Sequence, residues 1–564
     1  MKPLAIYEKR IDNLGLLSRI GYLFTVSIHA EIAQVVERRT ENPGVPSASL
    51  GLGTFLFKVS SHTSTVNILC LGSHLMKINL NKNILILIII FVIAFVIRLY
   101  QFSFFEFQND QYSAIGLGNQ TREEHFLITH GRRSGAGLDI PPAFPIAMGV
   151  LTAFTQDPAQ LTFCFFCMNI LALIMAIIYF YRTLPSNYAI LSTAFLSLLP
   201  GFIFYTSKIW EQLFLPLIMI FFNICLYRLI KYEHWRNFLY MGLLAVIAAQ
   251  FHLSGFFIFP VMVVIAIAYW EKIDKKVISL TLLATFILFI PFLIHLFKES
   301  ELAKFMAYGA STKRPFQCVW KILPFHYRMA SFEFFRSYFK FDFNEILRIV
   351  AGRWRFVLYP LTFIPGIFFV IGFLSYIKWL MKGKIFDKSE GSLKEYALPF
   401  QISGLMILVV TLGYFILRVS ACLHYCIVLF PAYGIITGFA AVKIWRFYWG
   451  KLIIVLGILS TVILLIGTLL FLDKAGGHPY EYGVSYKTLV SWQKQIQGIK
   501  NKGECYDLKP HIIGQDVSDV DTVLSVLNKD NICMPGDKII PAQVNIGWND
   551  KLMRYEYRLF TNRS

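Results

Sequence analysis

From residue 84 to residue 472 the chain alternates long apolar runs with mostly short polar connections. An apolar run of about 20 residues is long enough to cross the hydrocarbon of a bilayer as a helix. The runs are rich in Leu, Ile and Phe and lack the every-second-residue alternation of barrel strands, so helices are expected. Eleven spans are expected, near 84–100, 160–181, 188–205, 210–229, 237–253, 255–270, 277–297, 355–380, 398–416, 423–443 and 452–472. The weakest boundary among them is the break at His252–Gly255. The predicted fold class is an α-helical polytopic membrane protein.

Three longer polar segments interrupt the pattern, at 101–159, 298–354 and 473–564. The basic residues give their side. Arg182, then Arg228, Lys231 and Arg236, then Lys272, Lys275 and Lys276, then Lys378 to Lys394, and finally Lys443, Arg446 and Lys451 fall on one side, with Lys77 and Lys82. The opposite short turns carry little more than Lys208 and Arg418. The positive-inside rule makes the first set cytoplasmic, so all three long segments are expected on the outer face. The expected localisation is a bacterial inner membrane, with a cytoplasmic N-terminus and an extracytoplasmic tail.

The two ends read differently from the middle. In 473–564 apolar content falls, and the short runs ICM, KIIPAQVNI and YEYRLF stand between turn signals, which predicts a small extracytoplasmic α/β domain. Residues 1–75 show no clear period and no span. The stretch AEIAQVVERRTENPGVPSASLGLGT resembles the conceptual translation of a tRNA gene. Met76 opens MKINLNKN, a short basic flank directly before the first span, as an inner-membrane protein begins. Met76 is therefore the expected start, and 1–75 an expected mis-annotated or disordered extension. The domain reading is thus 1–75, a transmembrane region at 76–472 and the tail at 473–564.

Composition supports the membrane class. Of 564 residues 56% are hydrophobic and 15% charged, against about 25% charged in soluble domains. The net charge of +19 does not point to nucleic acid, because the basic residues sit mostly between apolar runs. There they set topology and meet anionic headgroups. Nine cysteines show no metal-ligand spacing in a polar setting. Cys164 and Cys167 form a CxxC inside an apolar run, where core packing is expected rather than zinc or redox chemistry. Cys505 and Cys533 could pair if the tail is exported.

The chemistry gathers around FEFQNDQYSA, residues 105–114. Asp110 follows the first span by about ten residues, so it lies at a membrane boundary. A carboxylate there can take a proton from a hydroxyl that attacks a lipid-anchored substrate. A departing phosphate needs positive charge, which arginine supplies as a planar fork and lysine as a point charge. The outer candidates are Lys208, Arg348, Arg353, Arg355, Arg418 and His424; Arg418 and His424 flank a very short turn. Glu211 opens a span beside Lys208 and Trp210 and needs a partner to be submerged: Lys208, Arg98 or a ligand. Glu106 reads as a solvated loop acid, and Phe104, Phe105 and Phe107 as interface anchors. His252 and His295 read as satisfied polar groups. Glu124, His125 and His130 are a weak metal signal. HGRRSGAGLDIPP lacks the strand-turn-helix setting of a phosphate loop and reads as a mobile outer loop.

Arg98 at the end of the first span, Asp110 a dozen residues on and Pro141–Pro142 before the next membrane-proximal element form a combination that resembles the GT-C glycosyltransferases. The branch it resembles is that of the protein O-mannosyltransferases and lipid A aminoarabinose transferases. LPGFIFYTSKIWEQLFLPL (199–217) is similar to that family's third and fourth spans, and HYCIVLFPAY (424–433) to its "RY…P" helix. The resemblance covers about 76–490 in pattern and order. It implies transfer of a sugar, with inversion, from a polyprenyl-phosphate donor to a lipid, glycan or protein acceptor. Asp110 would be the base, Arg98, Gln111, Lys208, Glu211, Arg418 and His424 would bind substrate, and no metal or other cofactor would be needed. The family has Asp-Glu where this chain has Asp110–Gln111; a register of Asn109–Asp110 is the other alignment. A lipid or oligosaccharide transporter and an inactive GT-C relative are the alternative functions.

Overall fold

The computed structural model describes residues 57–59, 65–68, 76–79, 81–133, 138–298, 322–382, 397–417, 422–478, 483–499, 504–512, 538–549 and 554–561. Two compact units divide the chain, Met1–Leu80 and Asn81–Ser564. In the first unit three short strands, β1 (Phe57–Val59), β2 (Thr65–Ile68) and β3 (Met76–Asn79), pair antiparallel in that order.

The second unit is helical. It opens with α1 (Lys82–Phe102), α2 (Asn109–Glu123), α3 (Ala143–Phe154) and α4 (Pro158–Thr183), followed by α5 (Ser186–Ser197) and α6 (Pro200–Tyr205). After a 3-10 turn at Glu211–Phe214 come α7 (Leu215–Tyr232), α8 (Asn237–Phe251), α9 (Ile258–Ala268) and α10 (Lys275–Lys298). The segment 322–361 holds α11 (Ile322–Met329), α12 (Glu333–Phe339), α13 (Phe343–Ala351) and α14 (Arg355–Leu361). The last long helices are α15 (Ile364–Leu380), α16 (Ala397–Leu417), α17 (Phe430–Trp445) and α18 (Tyr448–Ala475).

Each of the eleven expected spans coincides with helix, but the described residues contain eight helices long and apolar enough to cross a membrane rather than eleven. The difference has local causes. The 188–205 run breaks before Pro200, which is the first residue of a new helix. The expected break between 237–253 and 255–270 falls at His252, whose backbone is extended at φ −154°, and it leaves two short helices. Gly255 makes that break possible: a Cβ there would stand 2.3 Å from the main-chain carbon of Ala248. The chain folds back too tightly for any side chain. The break points His252 toward the site described below.

Burial sorts the helices. The Leu423–Trp445 stretch is 89% buried and packs against α5, α15 and α16, so it is the hub of the bundle. The stretches around α1 and α10 are only 22% and 17% buried, with Ile89, Val96, Leu282 and Phe286 exposed. An apolar helix that hides so little of itself suits a lipid surround. Cys164 and Cys167 are free and lie on the exposed side of α4, not in the core as expected from the sequence.

The tail begins with a short hairpin, β4 (Gly477–His478) and β5 (Gly483–Val484), then α19 (Tyr486–Ile499). Strands β6 (Glu504–Ile512), β7 (Lys538–Asn549) and β8 (Arg554–Thr561) form a sheet in the order 6-7-8, parallel then antiparallel. KIIPAQVNI and YEYRLF lie in β7 and β8; ICM lies outside the described residues, and with it Cys533 and its expected pairing with Cys505.

Candidate active site

Asp110 sits in the first turn of α2, where a carboxylate complements the helix dipole. Its side chain is 45% exposed. Arg132 donates from Nη1 to Oδ1 at 2.7 Å, and the Trp210 indole N–H donates to Oδ2 at 3.1 Å. The other fork of the same guanidinium, Nη2, reaches both oxygens of Glu211 at 3.0 and 3.1 Å. Glu211 is almost wholly buried, at 3% exposure. One arginine therefore joins two carboxylates from distant parts of the chain. Burial works against the charge of Arg132, but Glu211 and Asp110 outweigh it and hold the guanidinium above its usual value.

Behind Asp110 lies a second, sealed pair. Glu106 and Lys208 are 1% and 2% exposed and form an ion pair. The Tyr338 hydroxyl donates to Glu106 at 3.0 Å, and Lys208 reaches the same hydroxyl at 3.0 Å. The ammonium also lies 4.3 Å from the centre of the Trp210 ring. Burial pushes the Glu106 carboxyl up to about 7, against the downward pull of Lys208 and Tyr338. Glu106 is thus not the solvated acid expected, and Phe104, Phe105 and Phe107 are buried in protein rather than anchored in an interface.

This pair explains Gln111. Its Oε1 accepts from the Gln108 main-chain N–H at 2.8 Å, closing the start of α2, and its Nε2 donates toward Glu106 at 3.4 Å. A glutamate could still cap the helix, but it would set a second carboxylate against a buried one. Gln111→Glu is therefore expected to destabilise the protein by about 1–3 kcal/mol without raising activity. A thermal melt in detergent beside a transfer assay checks both; a more active variant of undiminished stability would show that the acid, not the amide, suits this position.

The open side of the site is aromatic and imidazole-rich. His424 lies 4.9 Å from the Trp210 ring and 4.5 Å from that of Tyr425. Tyr425 in turn lies 5.1 Å from His252 and within electrostatic reach of Glu211 and Arg132. His252 and Tyr425 also line an apolar cavity of about 800 Å³ between α9, α10 and α16. The remaining walls include Phe256, Phe257, Phe289, Leu293 and Tyr414. Leu282, Phe286 and Ile416 line it too and remain exposed, so it is not sealed from the surroundings of the bundle. The cavity thus ends at an imidazole and a phenol, His252 and Tyr425, both within electrostatic reach of the Arg132 guanidinium.

The structure brings Asp110, Glu211 and His424 together, and places Lys208 and Gln111 directly behind them. It does not bring Arg98. That side chain is fully buried, donates to the carbonyls of Ala94 and Ser197 at 3.0 and 2.8 Å, and faces Phe202, so it ties α1 to α5. Arg418 lies outside the described residues. Arg348 is held by Glu345 in an exposed pair.

Metal chemistry was expected at most near Glu124, His125 and His130. Of these only His130 belongs to a candidate cluster, with Asp139 and His295, whose ligand atoms lie within 4.8 Å of one another. The donor types suit a zinc-like cation. The rings do not: His130 and His295 stack at 3.8 Å and 10°, and His295 Nε2 is 3.0 Å from Asp139. Parallel rings cannot both aim a lone pair at one tetrahedral ion. In this arrangement His295 of α10 meets Asp139 by a hydrogen bond and His130 by ring stacking.

Arg132 and Trp210 went unassigned in the sequence. Arg132 was visible as half of an arginine doublet in a Gly-rich loop, but spacing gave no clue that it bridges residues 22 and 79 positions away. Trp210 adjoins Glu211, and its indole donor is what an otherwise bare carboxylate oxygen requires.

No family model matches the chain, and no curated protein matches it. Among solved structures it is similar to ArnT from Cupriavidus metallidurans bound to undecaprenyl phosphate, at 11% identity and a TM-score of 0.39, over 83% of this chain and 93% of that one. It is also similar to the apo oligosaccharyltransferase of Archaeoglobus fulgidus, at 12% identity and a TM-score of 0.44, over 82% of this chain and 64% of that one. The chain spans less than two thirds of that archaeal protein.

Proposed function

We propose that the chain is a membrane glycosyltransferase that moves a sugar from a polyprenyl-phosphate donor to a hydroxyl on the outer face of the membrane. One arrangement carries this reading: a half-exposed carboxylate, oriented by an arginine and an indole, from which the ring contacts Trp210–His424–Tyr425 lead to the wall of an apolar cavity. At about 800 Å³ the cavity is at the upper end of ligand pockets, about 300–1,000 Å³. It has room for the phosphate-proximal part of a lipid, whose remaining length would stay in the bilayer.

In this mechanism the acceptor oxygen attacks the anomeric carbon, Asp110 takes its proton, and the bond from that carbon to the phosphate oxygen breaks. Attack opposite the departing phosphate inverts the carbon. Each carboxylate oxygen of Asp110 accepts one hydrogen bond in the structure and has a second lone pair for the acceptor hydroxyl. The phosphate leaves as an anion with the lipid, met by the Arg132 fork and by His424. Glu211 holds Arg132 in place, so that its charge is aimed before the substrate arrives. The acceptor is a lipid, a glycan or a protein.

The test is to offer the purified protein, in lipid nanodiscs, a panel of polyprenyl-phosphate hexoses and pentoses and to follow release of the polyprenyl phosphate. Release from at least one donor is expected, faster when acceptor-bearing membrane extract is added. Lipid movement across the bilayer without release would favour a transporter instead.

A further inference from the structure

We propose that residues 483–486 of the tail are a strap that positions the Asp110 base, making the start of the tail part of the working enzyme. The proposal rests on the reading of Asp110 given above. The strap lies antiparallel along residues 105–107. The Phe107 N–H donates to the Val484 carbonyl at 3.4 Å, the Tyr486 N–H donates to the Phe105 carbonyl at 2.9 Å, and Glu106 bridges Ser485 between them. The Tyr486 ring stacks on Phe105 at 5.0 Å and meets Phe107 edge-on at 5.5 Å. In extended backbone successive side chains alternate sides. Clamping Phe105 and Phe107 against the tail therefore turns Glu106 the other way, into its pair with Lys208.

From Glu106 a line of contacts runs to the base. Glu106 holds Lys208, the Lys208 ammonium sits over the Trp210 ring, and the Trp210 N–H donates to Asp110. A second line runs through Gln108, which follows the clamped segment and precedes α2, the helix that presents Asp110. The strap is itself anchored. The Ser485 N–H donates to the Gly476 carbonyl at 2.8 Å, His478 meets Asp342 at 3.1 Å, and Leu489 is fully buried.

Gly483 faces Gln108 across the gap between strap and loop. Its φ of +68° is left-handed, and a Cβ there would stand 2.7 Å from Gln108 Cγ. An alanine is thus disfavoured by the backbone and pushes on the residue that precedes α2. Displacing a catalytic group by an ångström can cost on the order of a hundredfold in rate.

The experiment compares full-length Gly483→Ala, Tyr486→Ala and Tyr486→Phe with the unaltered protein, in nanodiscs. It measures amide hydrogen exchange over residues 104–112, and kcat and donor KM in the polyprenyl-phosphate assay. Gly483→Ala and Tyr486→Ala are expected to speed exchange in that stretch and lower kcat by roughly tenfold or more, with donor KM unchanged. Tyr486→Phe, which keeps both ring contacts, is expected to behave as the unaltered protein. Unchanged exchange and kcat in Gly483→Ala overturn the proposal, as does a change in donor KM alone. If Tyr486→Ala does not fold, Gly483→Ala decides by itself. If exchange rises but no form, the unaltered one included, turns over any donor, the strap stands and the glycosyltransferase reading falls.

Discussion

Asp110→Asn is expected to lower sugar transfer by roughly 10²–10⁴-fold, the usual worth of a positioned general base. The protein should remain folded. Asparagine has nearly the same shape, and the side chain is 45% exposed, so little burial is at stake. Both neighbours of Asp110 are donors, Arg132 at one oxygen and Trp210 at the other. The asparagine oxygen can satisfy one of them, and its NH₂ must face the other. A small loss of stability follows, far less than the loss of rate. Initial rates at saturating donor, beside a thermal melt, separate the two. A folded variant that transfers sugar at the unaltered rate removes Asp110 from the chemistry.

Arg132→Ala should be nearly as damaging, and in a different way. The substitution removes the charge that would meet the leaving phosphate and the fork that joins Asp110 to Glu211. Glu211 is then a buried carboxylate without its cation. Breaking a fully buried pair costs about 3–5 kcal/mol; because Arg132 is 26% exposed, the cost here falls below that. Adding Glu211→Gln should restore much of the stability and none of the activity, which shows that the arginine does more than neutralise its neighbour. Arg132→Lys keeps the charge but cannot hold two carboxylates with one planar group, so intermediate activity is expected. Full activity in Arg132→Ala would contradict this role.

The helical membrane architecture was legible because lipid leaves a chain few options: each crossing needs a long apolar run, and such runs are visible one by one. Where the reading failed, a backbone break was responsible. Pro200 shortens a helix that the apolar run alone makes continuous, whereas the break at His252–Gly255 was expected and found. At the site, Asp110, Glu211 and His424 could be found because polar groups beside spans stand out. Arg132 could not, because its meaning lies in contacts across 22 and 79 residues of sequence. Glu106 and Gln111 were misjudged for one shared reason. An acid in a polar-looking loop reads as solvated until Lys208 and Tyr338 are seen beside it, and a glutamine in place of an acid reads as a loss until its buried neighbour is known. Arg98 shows the reverse: its place at the end of a span suggested the site, but its Nη1 donates to two carbonyls within the bundle.

In the proposed mechanism the apolar cavity and the Arg132 cluster together receive one lipid phosphate. Native mass spectrometry of the protein released from nanodiscs, with undecaprenyl phosphate and undecaprenol in competition, tests this before any sugar or acceptor is known. The unaltered protein is expected to retain the phosphate lipid over the alcohol, Arg132→Ala to lose this preference while still holding lipid, and Phe289→Trp, which narrows the cavity, to weaken both. Equal retention of the two lipids by the unaltered protein, or a phosphate preference that survives Arg132→Ala, would contradict it.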